Sequence, residues 1–372
     1  MKVTLERASL LKSLGHVHRV VERRNTIPIL SNVLLRCADA TMSFKATDLD
    51  MEVSETVPAE VALPGAVTAP AHTLYEIVRK LPEGSQVTLE ASGEVGQMTL
   101  RSGRSRFMLS TLPESDFPDI SVGEMPHRFE ISAAALKRLF DKTHFAISTE
   151  ETRYYLNGVF LHEMRSADGH VLRAVATDGH RLARVETEAP PGAAGMPSVI
   201  VPRKAVAEIQ KLLENQEGDV IVELSATKIR LHVGSVVLTS KLIDGTFPDY
   251  QRVIPTGNDR TLRIDKEAFE HAVDRVSTIS SERGRAVKLS LASGRVTLSV
   301  TNPDAGSATE ELEAEYESPA LDIGFNARYL LDVLQQFESE NALLKLAEPG
   351  SPTLMQEREG ASALYVLMPM RV

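Results

Sequence analysis

The run Asp178-Gly179-His180-Arg181 sets a carboxylate two residues from an imidazole, a pairing that general acid–base chemistry uses. A hydrolase built on it would need both side chains to converge on a substrate in one cavity. The same run also reads as a tight turn, with Gly179 at positive φ and His180 and Arg181 exposed after it. Thr47-Asp48-Leu49 and Thr301-Asn302-Pro303 keep the Thr-Asp or Thr-Asn pair with no histidine at the equivalent place, which makes the turn architectural. His16 and His18 lie two apart on an expected helix and so face different ways, whereas metal ligands want a spacing of three or four. Cys37 falls in the apolar stretch Val33-Leu34-Leu35-Arg36-Cys37-Ala38 and reads as a core thiol before a nucleophile. Arg101-Ser102-Gly103-Arg104 has one glycine and reads as a basic hairpin turn, not a phosphate cradle. There is no Gly-x-Ser-x-Gly elbow and no cysteine cluster. No catalytic residue, metal or cofactor is expected.

The elements that carry these residues repeat three times. Strand-forming runs end in turns at Thr47, Thr177 and Thr301, which are 130 and 124 positions apart. Helix starts recur at Pro70, Pro202 and Asn326, where Pro near the first turn and Asn as a cap are sound signals. Leu74, Ile77, Val78 and Leu81 are apolar at helical spacing, as are Val206, Ile209, Leu212 and Leu213. Phe117-Pro118-Asp119 returns as Phe247-Pro248-Asp249. A further helix opens each copy: Arg7 to Arg24, Ser132 to about Phe145, and Asp265 to about Ile279. Period-two alternation at Val287, Leu289, Leu291 and at Val296, Leu298, Val300 argues for sheets with one buried face. Three modules are expected, 1–125, 126–256 and 257–372, each of two helices and a set of strands.

Composition bounds the rest. The chain has 372 residues, 42% of them hydrophobic and 25% charged, as in a soluble globular protein. No apolar run approaches the ~18 residues of a membrane span, and no apolar leader follows Met1. A single cysteine fits a reducing compartment, so a cytoplasmic location is expected. Net charge is −10. Proteins that hold DNA by neutralising phosphates are usually basic, so DNA association would need a local basic surface or retention by means other than affinity. The opening regions differ in sign: Arg7, Lys12, Arg19, Arg23 and Arg24 against Glu22 in the first, and Lys137, Arg138 and Lys142 against Asp141 in the second. The third carries Asp265, Glu267, Glu270, Asp274 and Glu282 against Lys266, Arg275 and Arg283.

Several runs together resemble the bacterial sliding clamp family, the β subunit of DNA polymerase III. They are Arg101-Ser102-Gly103-Arg104-Ser105-Arg106-Phe107, Arg153-Tyr154-Tyr155-Leu156-Asn157-Gly158, Ala176-Thr177-Asp178-Gly179-His180-Arg181-Leu182-Ala183, Val201-Pro202-Arg203-Lys204, Phe247-Pro248-Asp249-Tyr250 and Tyr365-Val366-Leu367-Met368-Pro369-Met370-Arg371. The resemblance implies an α+β DNA-clamp fold, with two helices per module on antiparallel sheet, and a head-to-tail homodimeric ring around duplex DNA. It implies a processivity factor with no chemistry of its own. Partner peptides of the replicative polymerase, clamp loader, translesion polymerases and repair proteins would bind a pocket between modules two and three. The matching pocket positions are Leu156, Thr177, Gly179, His180, Arg181, Leu182, Pro248, Arg252, Val253, Asn326, Tyr329, Val366, Leu367, Met368, Pro369, Met370 and Arg371. DNA-facing positions would be Arg24, Tyr154, Tyr155, Arg203 and Lys204. Arg104, Arg106, Phe107 and Leu109 would meet Ile279, Asp304, Glu310 and Glu311 of a second copy, with Arg101 joining the basic side. Leu367, Thr246 and Gln251 depart from the family pattern, and 348–360 aligns poorly.

Two other classes stay open at this level. A hydrolase using Asp178 and His180 predicts that the two converge in a cavity. An interaction scaffold without DNA predicts no helix-lined hole. For the C-terminal run, an edge strand in the core of module three is the plain alternative to a pocket wall.

Overall fold

The computed structural model describes residues 1–91, 96–120, 123–166, 169–280 and 285–372. Glu282 and Arg283 lie outside the described residues. The elements follow one order three times: strand, helix, four or five strands, helix, three strands. Among the described residues the α-helices are α1 (Arg7–Val17), α2 (Ala71–Lys80), α3 (Ala133–Asp141), α4 (Arg203–Leu213), α5 (Lys266–Ser277) and α6 (Ala327–Leu334). None of the described helices is long and apolar enough to cross a membrane.

Contacts divide the chain into two units, which are not the sequence repeats. Unit 1 comprises Met1–Lys137, Pro190–Pro197 and Lys204–Leu242. It holds a five-stranded sheet ordered Glu60–Leu63, Lys2–Glu6, Gln86–Glu90, Gln97–Ser102, Ser105–Ser110. Its eight-stranded sheet runs His127–Ser132, Asp219–Leu224, Lys228–Val233, Val236–Lys241, Met51–Pro58, Thr41–Thr47, Asn32–Ala38, Gly65–Pro70. The last strand of the second repeat thus pairs with the first repeat, Val236 opposite Glu55 and Leu238 opposite Val53. Backbone pairing carries the sheet through the expected boundary near 125, and this is why contacts do not separate the repeats there.

Unit 2 comprises Arg138–Ala189, Ser198–Arg203 and Ile243–Val372. Its nine-stranded sheet repeats the device: Arg181–Glu188 of the second copy pairs with Ala363–Leu367 of the third, Leu182 opposite Val366. The C-terminal run is therefore not an edge strand, because Thr353–Gln356 pairs with its other side. A four-stranded sheet in the order Gly306–Glu313, Arg295–Asn302, Ala286–Ala292, Leu321–Asn326 completes the unit. Among the described residues every strand pair in the two joints and their sheets is antiparallel.

Local signals explain most boundaries. Asn326 caps α6 by accepting from the Arg328 and Tyr329 amides, and Asp265 caps α5 by accepting from Ala268 at 2.7 Å. Arg79 and Lys80 close α2, where cations suit the helix dipole. Cys37 is 1% exposed, a core thiol as expected, and burial pushes its pKa up. Two helices are shorter than expected. The opening helix stops at Val17 instead of Arg24, although Val20 and Val21 keep the apolar spacing. A tertiary contact overrides periodicity there: His18 stacks on Tyr75 with 3.9 Å between centroids, and His72 Nε2 lies 2.8 Å from the Val21 carbonyl. The second stops at Asp141, where Thr143 Oγ1 donates back to the Leu139 carbonyl at 2.7 Å.

One buried charge pins the seam of unit 1. Glu55, 3% exposed, meets His16 Nδ1 of α1 at 2.8 Å and accepts from Ser235 Oγ of the adjoining hairpin at 2.9 Å. Burial would raise its pKa, but the hydrogen bond and charge of His16, helped by Ser235, hold it below the usual 4.5. A carboxyl depressed in this way stabilises the fold above its unfolded pKa and loses that contribution as pH falls through the folded value. Glu55→Gln should cost about 2 kcal/mol at neutral pH in urea unfolding. The gap to the parent should begin to narrow as pH drops below 4.5, and a gap that stays constant however far the pH is lowered would exclude this role.

Candidate functional site

Four segments of unit 2 wall a cavity of about 270 Å³: the 3-10 helix Glu151–Leu156, the turn at 177–182, the segment 248–253, and the strand end at Val366 and Met368. The turn is built from its own side chains. Thr177 Oγ1 donates to the Arg181 carbonyl at 2.7 Å and accepts from Gly179 N at 3.1 Å. Asp178 Oδ1 accepts from His180 N at 2.9 Å and Arg181 N at 3.0 Å. Thr47 and Asp48 make the same four bonds in the first repeat. Asp178 is thus committed to the backbone, and among the described residues no hydrogen bond joins it to the His180 ring. Gly179 has φ +90, which strains any residue with a Cβ, and an added Cβ would lie 2.6 Å from Arg153 Nη1, so a side chain there would push that guanidinium aside. Leu49, its counterpart, bears the same left-handed conformation at φ 78.

Arg181 is not exposed as the turn reading expects; its side chain is 10% accessible. Nε donates to Asp178 Oδ2 at 3.1 Å, Nη2 to the Phe145 carbonyl at 2.7 Å, and Nη1 to Asp332 of α6. The guanidinium lies 4.3 Å from the Tyr329 ring and 5.1 Å from Phe145. Every direction around it is occupied, which fixes that wall of the cavity.

The floor is apolar. Leu156, Leu182, Val366 and Tyr250 pack with Val175, Ile200, Phe247 and Leu364, and Phe160 stacks on Phe247 at 4.8 Å. Tyr250 is 5% exposed, so its hydroxyl needs partners inside the protein. Arg173 Nη1 donates to it at 2.9 Å and His162 Nε2 lies 3.1 Å away. Arg173 is held in turn by Glu186 at 2.6 and 2.9 Å. Burial lowers the pKa of His162, and the Arg173 charge adds to this, so a neutral imidazole is favoured against the hydroxyl.

Of the expected pocket positions, Leu156, Thr177, Gly179, His180, Arg181, Leu182, Pro248, Val253, Val366 and Met368 line this cavity. Tyr329 stands behind it, 6.4 Å from the His180 ring, and Asn326 serves as the α6 cap. Arg252 is not among the lining residues and pairs with Asp249, which is, at 2.8 Å. Leu367 is buried on the other side of its strand, 1% exposed. Pro369, Met370 and Arg371 do not line the cavity, because Met370 N bonds to the Gly324 carbonyl at 2.8 Å and draws the tail aside. Arg153, Tyr155, Asp249 and Tyr250 also line it. All four lie within recognised runs, Arg153-Tyr154-Tyr155-Leu156 and Phe247-Pro248-Asp249-Tyr250, and Tyr155, expected to face DNA, lines this cavity instead.

The remaining positions are scattered over both units. Arg24, Tyr154 and Arg203 are exposed, while Lys204 is caged by Asp48, Glu22 at 3.4 Å and the Val20 carbonyl at 3.2 Å. Arg101, Arg104 and Arg106 are exposed on or beside the edge strand Ser105–Ser110, with Phe107 half-buried and Leu109 buried. Glu310 and Glu311 lie on the edge strand Gly306–Glu313, which Asp304 precedes. Glu310 is already paired with Arg275 at 2.5 and 3.1 Å, and Glu311 lies 3.8 Å from Arg295. Ile279 is half-buried just after α5, its carbonyl accepting from Asn302 at 3.0 Å.

Three family models match in order: the N-terminal domain of the DNA polymerase III beta subunit over residues 1–121, the central domain over 130–249 and the C-terminal domain over 251–371. The beta sliding clamp of Caulobacter vibrioides is 54% identical over 372 residues, and that of Escherichia coli 40% over 375, each with full coverage of both chains. Among solved structures, a sliding clamp from Bartonella birtlesii bound to griselimycin has a TM-score of 0.97 at 55% identity, covering all of both chains. A clamp from Caulobacter crescentus has a TM-score of 0.98 at 53% identity, covering 100% of this chain and 99% of that one.

The polar support beneath the floor is open to test. Tyr250→Phe keeps the ring but leaves Arg173 Nη1 and His162 without their shared partner. Unfolding by denaturant should show a loss of about 1–3 kcal/mol. Stability within a few tenths of a kcal/mol of the parent would mean that the hydroxyl is not the keystone of the network.

Proposed function

The chain belongs to the DNA polymerase III β subunit family, and we propose that, as a sliding clamp, it joins a second copy head to tail in a ring around duplex DNA. The clamp is a processivity factor: it keeps the polymerase on the template and performs no bond chemistry itself. The observation that carries the ring is a pairing rule with one instance left over. The last strand of the second repeat pairs with the first, and the last strand of the third pairs with the second. By the same rule Ser105–Ser110 of the first repeat seeks Gly306–Glu313 of a third, and both are unpaired edges here. An exposed edge strand is a template for pairing. When the strand belongs to a different copy at each end, the contact is heterologous and closes if the rotation does.

The register carries over as well. Aligning the Gly103-Arg104 hairpin with Gly234-Ser235, and the Thr301 turn with Thr47, sets Ser105 opposite Glu310 and Phe107 opposite Ala308. Arg104 then faces Glu311, and complementary charge fixes orientation more than it adds affinity. Six repeats bring twelve helices to the ring. Arg24, Tyr154 and Arg203 face DNA in this reading, and Lys204 braces the Asp48 turn. A ring is retained by topology, which reconciles a net charge of −10 with a DNA partner. The apolar cavity of unit 2 takes short extended peptides of the replicative polymerase, clamp loader, translesion polymerases and repair proteins, with Leu182 and Val366 as floor and Met368 as an adaptable rim. The protein works in the cytoplasm, which the single reduced thiol of Cys37 suits.

Loaded protein should stay on circular DNA and be lost on linearisation; equal retention on both, or on neither, would refute encirclement. Ser105→Cys with Glu310→Cys should give a covalent dimer on mild oxidation, since facing pairs lie about 5 Å apart. Arg104→Glu with Arg106→Glu should shift the chain towards monomer in sedimentation at low concentration. A double-charge reversal that sediments as the parent does would sink the interface.

A further inference from the structure

Alternation along Arg181–Glu188 puts Leu182, Arg184 and Glu186 on one face of the sheet. Leu182 lines the cavity, and Arg184 follows it about 7 Å along the same face. Its cross-strand neighbours there, Val175 and Leu364, belong to the apolar floor. Glu186, next along, is bound by Arg173, whose remaining donor serves Tyr250. Arg184 makes no hydrogen bond or ion pair with any described residue, and its Nε is buried without an acceptor. Burial, then the charge of Arg173, press its pKa down, and the carboxylate of Glu186 does not offset them. The cluster thus holds two guanidinium groups and one carboxylate. A buried donor that lacks a partner is destabilising, and fold stability alone would be served better by an aliphatic side chain at this point.

We propose that Arg184 forms an anionic subsite next to the apolar cavity and selects partner peptides that carry a carboxylate one or two residues beyond the apolar anchor. The inference rests on the peptide-pocket reading. An extended chain rises about 3.3 Å per residue, so the step from Leu182 to Arg184 corresponds to two residues of a bound peptide. The carboxylate comes from an Asp or Glu side chain or from the peptide's own C-terminus; both offer the acceptor pair that a guanidinium fork matches. Arg184 would be a specificity determinant, while the apolar floor supplies the basal affinity.

Fluorescence anisotropy on the full-length protein tests this with labelled peptides that bear a Leu-Phe anchor and Glu, Gln or Lys one or two residues to either side. A further pair ends just beyond the anchor in a free carboxylate or an amide, which separates a side-chain source from a terminal one. In one chain direction the carboxylate peptide should bind about tenfold tighter than its neutral counterpart, with Lys weaker than Gln. Arg184→Met should bind carboxylate and neutral peptides alike, keep the neutral-peptide affinity of the parent, and melt no lower than it. Arg184→Lys should restore part of the preference. Equal binding of carboxylate and neutral peptides in both directions, a preference surviving in Arg184→Met, or a marked drop in its melting temperature would overturn the subsite. The pocket reading is judged separately: neutral peptides should bind the parent and lose affinity in Met368→Asp. If they do not, the pocket fails and the subsite with it.

Discussion

Backbone N–H and C=O groups at the margin of a sheet must find partners, and in this chain each repeat meets that demand with the next. The consequence is that the decisive strand pairs join repeats and do not lie within them. Val236–Lys241 against Met51–Pro58 and Ala363–Leu367 against Arg181–Glu188 are the same joint made twice. Each joint ends at a Thr-Asp turn, where an amide at the strand's end reaches across: Lys241 N to the Asp50 carbonyl, and Met368 N to the His180 carbonyl. What the side chains do at that place then decides whether the joint is a seam or a site.

The two joints show the choice. In the first, Leu49, Asp50, Glu52 and Lys241 occupy the positions of Gly179, His180, Leu182 and Met368. Lys241 Nζ pairs with Asp50 at 3.0 Å, Lys45 with Glu52 at 3.5 Å, and Glu52 also accepts from Ile120 N at 3.4 Å. Charge pairs bridge the ground that the second joint leaves as an apolar hollow. There the polar demands of Tyr250 and Arg181 are met underneath and behind instead, by Arg173, Glu186 and His162 around the Tyr250 hydroxyl and by Asp178 and Asp332 around Arg181. An apolar cavity lined by a fully bonded tyrosine and a clamped arginine keeps its shape when empty, so a ligand need not order its walls.

What could be read in the sequence follows the same division. Helix starts, turn residues and strand alternation depend on neighbours in the chain, and they appear where their residues say: Asn326 caps α6, Gly179 and Leu49 share one turn, and Cys37 is core. Properties set across space were not legible. The end of α1 at Val17 depends on Tyr75 of another helix, and the burial of Arg181 depends on Asp332 and Tyr329 far along the chain. Lys204 follows a proline in a basic run, yet its ammonium is taken by Asp48, Glu22 and a carbonyl of Val20. Glu310 was legible as an acid of the third module but not as the existing partner of Arg275. The cavity was legible in its turn and strand end, while its tyrosine support, the pair His162 and Arg173, carries no local pattern at all.

The lone thiol has a practical side. Cys37 is the chain's single cysteine, 1% exposed, with Sγ 3.5 Å from the Leu63 carbonyl and its pKa raised by burial. Thiolate is the reactive form, so maleimides and iodoacetamides will find it a poor target in the folded state. The native protein is thus a quiet background for site-specific chemistry, in which one cysteine placed on the surface would be the dominant handle for a dye, spin label or surface tether, with no need to delete the natural one.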